Sequence, residues 1–314
     1  METFKFNNKI LAFHLKMAWK WILFFGIVAI FATSAAMLFA QTVPGEVIQG
    51  PYIARIFISE NTAENGSNYL FIETSQSGVI NGFLFTAPSL LILGIISTVF
   101  INDFILKEIN QGKILSWLTF AVSRKQVILL KIIAINVINL ILTCTMSIII
   151  MVFCALAVDA NQYFGRVVLY CFNFILFNLV FTTILALAAL YMTEKIRIFN
   201  LLVAIILLYL FITWFLYFVV YVGQGGDIQE NAFRGLKAVK YFSIQSFIVN
   251  PLDFTDKSKT VENIVGDYFV VTEVFELNQK NEWLLWFGPI AYLGVLASTG
   301  YLCAWKFTRA EIMV

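Results

Sequence analysis

Histidine is almost missing from this chain: there is one, His14. A two-histidine metal site or a cluster of histidine bases is therefore not available within it. Charge is scarce too. Asp, Glu, Lys and Arg make up 13% of the 314 residues, about half of what soluble domains carry. The hydrophobic share is 60%, which leaves too little polar surface to coat a water-soluble globule. The GxxxxGK[ST] phosphate loop, the G-x-S-x-G nucleophile turn and the H-E-x-x-H zinc pair are all absent. The chain thus has no nucleotide-binding loop, cofactor motif or recognisable catalytic set of its own, and it reads as no enzyme. Its cysteines, Cys144, Cys154, Cys171 and Cys303, show no CxxC spacing and read as small packing residues. A net charge of +2 gives no sign of a nucleic-acid partner.

Long apolar runs are abundant. Six carry no Asp, Glu, Lys or Arg: Trp21–Ala40, Phe83–Asn102, Ile132–Val158, Val167–Thr193, Ile198–Val222 and Trp283–Trp305. Each has at least 20 residues, and about 20 apolar residues in a helix cross the roughly 30 Å of hydrocarbon. Strand-like alternation over about 10 residues, the mark of a membrane barrel, is lacking. The first run is longer than the 7–15 residues of a cleaved signal peptide core, so it reads as an uncleaved span. The expected fold is an all-α integral membrane protein with six transmembrane helices.

Lys and Arg set the expected orientation. The segments 1–20, 103–131, 194–197 and 306–314 share one side and hold 13 Lys and Arg against 5 acids. Segments 41–82, 159–166 and 223–282 share the other and hold 8 against 14. The basic side is assigned to the cytosol, with both termini there, in a cell membrane. Trp19, Trp21 and Trp305 fall at inner boundaries, and Trp214, Tyr217, Tyr221, Trp283 and Trp286 near outer ones, where amphipathic rings prefer to lie.

Between the runs, three stretches are informative. Phe4–Lys20 repeats apolar residues (Ile10, Leu11, His14, Leu15, Trp19) at helical spacing, with Lys9, Lys16 and Lys20 elsewhere; this predicts a helix lying in the inner interface, or else a short basic tail. The link from Asn102 to Lys131 predicts that span two continues through Phe104–Asn110 and stops at Gly112. A short amphipathic helix follows, with Ile114, Trp117, Leu118 and Ala121 on one stripe. Ser123 and Gln126 have capping-box spacing and restart the helix that becomes span three. Such an amphipathic helix suits a groove on a partner protein or the lipid surface. The outer segments 41–82 and 223–282 are polar, and the latter is long enough for a small extracellular subdomain between helices five and six. There, 232–248 has helical periodicity and 261–274 is open to strand or helix.

No charge lies inside the runs, which argues against an ion-coupled carrier or voltage sensor. Uncharged polarity does occur. Asn136, Asn139, Thr143 and Ser147 share one face of span three, and span four carries Asn173, Asn178 and Thr182. These residues face other helices or a lumen rather than lipid. They are interhelical hydrogen-bonding groups or the weakly polar lining of a substrate path.

The layout resembles the permease subunit of type-2 ABC transporters. So does the link, where Glu108, Gly112, Leu118, Ser123-Arg124 and Lys131 match that family's loose pattern; Lys113 departs from it, because a small or hydroxyl residue is more usual there. The resemblance implies one permease domain over 1–314 and a coupling helix within Lys107–Ala121, with Lys107, Glu108, Gly112, Lys113, Ile114, Trp117, Leu118 and Ala121 contacting a separate cytosolic ATPase. ATP and Mg would sit on that ATPase. A second permease, identical or paralogous, would complete a path for an amphipathic cargo (peptide, lipid or drug-like), with membrane lipid around it. Export is the expected direction. Two other classes stay open: a non-transporting membrane interaction or immunity protein, and a gradient-driven carrier or channel.

Overall fold

The computed structural model describes residues 8–39, 54–60, 69–72, 79–80, 84–114, 123–156, 160–222, 255–265, 268–277 and 282–309. Six helices in it are long and apolar enough to cross a membrane. They are α1 (Asn8–Phe39), α2 (Ala87–Asn110), α3 (Arg124–Ala155), α4 (Ala160–Tyr191), α5 (Ile196–Val222) and α6 (Glu282–Arg309). Local chemistry explains several ends. Thr86 precedes α2 in extended conformation and a proline falls in the first turn, where no backbone N–H is needed. At α3 the capping box forms: Gln126 N–H donates to Ser123 Oγ, and Ser123 N–H donates to Gln126 Oε1. Gly112, at φ +69°, ends the helical continuation of span two in the left-handed conformation that only glycine adopts without penalty.

Two expectations need correction. First, the chain is not all-α. Strands β1 (Ala54–Glu60), β2 (Tyr69–Ile72), β3 (Thr255–Val265) and β4 (Tyr268–Leu277) form an antiparallel sheet in the order β2-β1-β4-β3. The open stretch 261–274 is strand, as the Val, Phe and Thr in YFVVTEVFEL favour. Ala54 to Glu60 run against Val274 to Tyr268, so the small subdomain draws on the segment after α1 as well as the one after α5. This pairing brings the segment after α1 and the segment after α5 together. The periodic stretch 232–248 lies outside the described residues.

Second, the N-terminal segment is not a separate helix: from Asn8 it runs without a break into the first span. At 32 residues and 1.5 Å each, α1 is about 48 Å long, well beyond the roughly 30 Å of hydrocarbon. As the Ser123–Gln126 spacing predicts, α3 begins at Arg124, eight residues before the charge-free run. Lys131 is therefore inside the helix and fully buried.

The bundle has an inner and an outer set. α2, α3 and α4 are the more buried helices, while α1, α5 and α6 expose rows of Phe, Leu and Ile, as lipid-facing helices do. At Gly94, α2 closely approaches its neighbours. A Cβ there would lie 2.8 Å from Leu207 on α5 and 3.3 Å from Phe181 on α4, so a small residue sets that spacing. The four cysteines are free, three of them buried.

Candidate functional site

The link leaves the bundle from a base held by three helices. Between Asn102 and Leu106 the α2 backbone widens by one residue, and Lys107 N–H reaches back five positions to Asn102 O. Such single-turn widenings are frequent at functional sites. The widened turn leaves the Phe104 carbonyl as an acceptor for the Lys131 ammonium at 2.8 Å. Lys131 also pairs with Glu108 Oε2, and its Nζ lies 3.1 Å from His14 Nε2.

The exposures of Lys131, His14 and Glu108 are 0, 0 and 9%. A buried ammonium has three donors, and here three acceptors receive them. The tautomer of His14 follows from its other nitrogen. Nδ1 lies 2.8 Å from the Ile10 carbonyl, which can only accept, so Nδ1 carries the proton. Nε2 of the neutral ring is then free to accept from Lys131. The second Glu108 oxygen lies 3.4 Å from the same Nε2. Edge-on contact with Phe104, at 4.8 Å between centroids, holds the imidazole in place.

Two further contacts fix the base from the other side. Asn102 Nδ2 donates to Asn200 Oδ1 on α5 at 2.9 Å. Asn110 Nδ2 donates to the Thr193 carbonyl in the α4–α5 turn at 2.9 Å. Beyond that, Gly112 turns the chain and Ile114 is buried.

Of the residues expected to contact an ATPase, Lys107 and Lys113 are exposed, and Lys107 pairs with Asp103 one turn earlier. Glu108 points into the bundle instead. Trp117, Leu118 and Ala121, and with them the body of the amphipathic helix, lie outside the described residues.

The uncharged polar residues form a separate cluster deeper in the bundle. Asn139 Nδ2 donates to Ser97 Oγ at 2.8 Å and to Thr182 Oγ1 at 2.9 Å, joining α3 to α2 and α4. Ser97 gives its own proton to Leu93 O at 2.6 Å, so the 3.1 Å contact between the hydroxyls runs from Thr182 to Ser97. Asn136 donates to Thr183 at 3.0 Å. Thr143 bonds back to the Asn139 carbonyl of its own helix, and Asn173 to Leu169. Asn178 and Ser147 are buried, and their side-chain polar atoms have no hydrogen-bond partner among the described residues. The cluster thus ties α3 to α2 and α4.

Sequence reasoning passed over Lys131, His14, Ser97, Thr183, Asn102 and Asn110 as site residues. For Lys131 the signal was present: counted from Ser123, it falls two turns inside a capped helix. Compared with family models, curated proteins and solved structures, the chain finds no match in any of the three.

Proposed function

We propose that the chain is a permease subunit of an ATP-driven exporter in the cell membrane, with both termini and the link in the cytosol. A separate ATPase, carrying ATP and Mg, grips the link, and a second permease completes a path for an amphipathic cargo. One observation carries this reading. The start of the link is tied to α1, α3, α5 and the α4–α5 turn, and the chain then turns sharply at Gly112. A push on a segment rooted in this way moves several spans together instead of bending a loop. The work enters as binding energy that differs between two states of the ATPase–permease assembly, and the permease makes and breaks no bonds.

The test is capture of an ATPase by the tagged chain from its native membrane. Leu118→Asp is expected to abolish capture while the fold survives, because Glu108, Lys131 and His14 are untouched. An ATPase that stays bound to this variant overturns the reading. Glu108→Ala is unsuitable as a docking probe, since Glu108 faces inward.

A second reading, a gradient-driven carrier, draws on the buried Glu108–Lys131–His14 group, because ionisable residues within membrane helices often mark ion or proton routes. Cargo flux in vesicles without ATP or an ATPase, driven by a proton gradient, would favour it.

A further inference from the structure

At the link end of the bundle, α3 and α6 part to leave a groove of about 370 Å³, lined by Lys125, Leu129, Ala297, Gly300, Tyr301 and Trp305, among others. We propose that this groove binds one acidic phospholipid, its phosphate held by Lys125 with Arg309 beside it, and an acyl chain laid over Gly300. The inference rests on the six-span architecture and not on the ATPase reading.

Charge and shape both support this occupant. The guanidinium of Arg309 stacks 4.3 Å above the Trp305 ring that lines the groove. Neither Lys125 nor Arg309 forms an ion pair among the described residues. Arg124 and Lys125 also open a helix with no acid in its first turn, where the backbone dipole already repels cations. Positive charge gathered there against local preference calls for an anion. Farther into the groove the lining becomes Leu296, Ala297 and Gly300, and a Cβ added at Gly300 would meet nothing within 4 Å. A cationic mouth at the level where a span ends, above an apolar slot between helices, matches an anionic headgroup with its chain.

A second copy of this chain fits poorly. A two-fold contact pairs a patch with itself, and copies in one membrane would bring cation against cation at the same level.

The experiment is native mass spectrometry of the purified full chain from micelles doped equally with phosphatidylglycerol and phosphatidylcholine. One phosphatidylglycerol retained per chain is expected, in preference to phosphatidylcholine. Lys125→Ala should weaken retention about fivefold and Lys125→Glu about thirtyfold, as expected for one and two units of charge near a membrane surface. Lys125→Arg should retain it. Gly300→Leu, whose side chain enters open space, should displace the lipid with the helices intact. Equal retention of both lipids, or unchanged phosphatidylglycerol in Lys125→Glu and Gly300→Leu, overturns the proposal. So does efficient disulfide dimerisation of Ala297→Cys in membranes, which would give the groove to a second copy.

Discussion

Helices α2 and α3 meet twice through polar side chains, once with charge and once without. Near the link, Lys131 holds Glu108, the Phe104 carbonyl and His14. Eight residues along α3, about 12 Å away, Asn139 bridges Ser97 and Thr182. The charged contact has an acceptor for each donor of the ammonium. The uncharged one is loosely matched: Oδ1 of Asn139 and Asn136 and both amide atoms of Asn178 lack partners among the described residues. The difference follows from energetics. An unpaired buried charge costs several kcal/mol, whereas a neutral group missing one hydrogen bond costs about 1–3. The fully buried Lys131 and its partner Glu108 sit inside a closed cage near the helix ends, whereas the amides and hydroxyls of the deeper cluster stay buried with some of their bonds unmade.

The contrast is tested most severely at Lys131. Lys131→Met removes the cation and leaves the Glu108 carboxylate buried, at an expected loss of about 3–5 kcal/mol. Unfolding in micelles titrated with SDS would read it. Adding Glu108→Gln should recover most of the loss, because both charges then leave together. A double variant as unstable as the sum of the singles would mean that the two groups do not act as a pair, and the contrast between the regions would fail.

A smaller effect is expected at Gly112, where the anchored base ends. Its φ of +69° costs an ordinary side chain about 1–2 kcal/mol. Sterics add nothing, since a Cβ there has no neighbour within 4 Å. Gly112→Ala should therefore lower stability by that amount in the same assay. Gly112→Asn should lower it less, because asparagine enters the left-handed region more readily. Equal losses for the two would show that the turn is not what limits substitution.

Much of this molecule is written in its hydrophobic pattern, and the exceptions have physical causes. The spans were legible because a charge-free run of 20 residues has few other uses. The Ser123–Gln126 cap and the Gly112 stop were legible because each needs only local geometry. The cage was not. Reading for charge-free runs ends a span at its first charge, so Lys131 and Glu108 were assigned to the link. Their partners lie 23 and 117 residues away in sequence, and no local spacing encodes such contacts. His14 had the signature of an apolar helix face, which is correct for its position but silent on its partner. The sheet was half-legible. Its β4 strand is rich in β-formers, yet pairing of Ala54–Glu60 with Tyr268–Leu277 joins segments separated by four spans.

The smallest effect is expected in the uncharged region, and it is the sharper test because the count of bonds misleads there. Asn139→Leu removes two interhelical hydrogen bonds, which by simple addition would rank beside the loss of the cage. Two facts reduce it. The Ser97 and Thr182 hydroxyls keep each other at 3.1 Å, and Ser97 keeps Leu93 O, so neither is orphaned. The substitution also removes Oδ1, a buried acceptor with no partner. Hydrogen bonds between membrane helices average about 0.6 kcal/mol, with a maximum near 1.7, and the expected loss lies in that range. A cycle with Thr182→Val, read by the same SDS unfolding, isolates the Asn139–Thr182 term. A loss above about 3 kcal/mol would place the amide on a par with the ammonium, and charge would no longer be what separates the two regions.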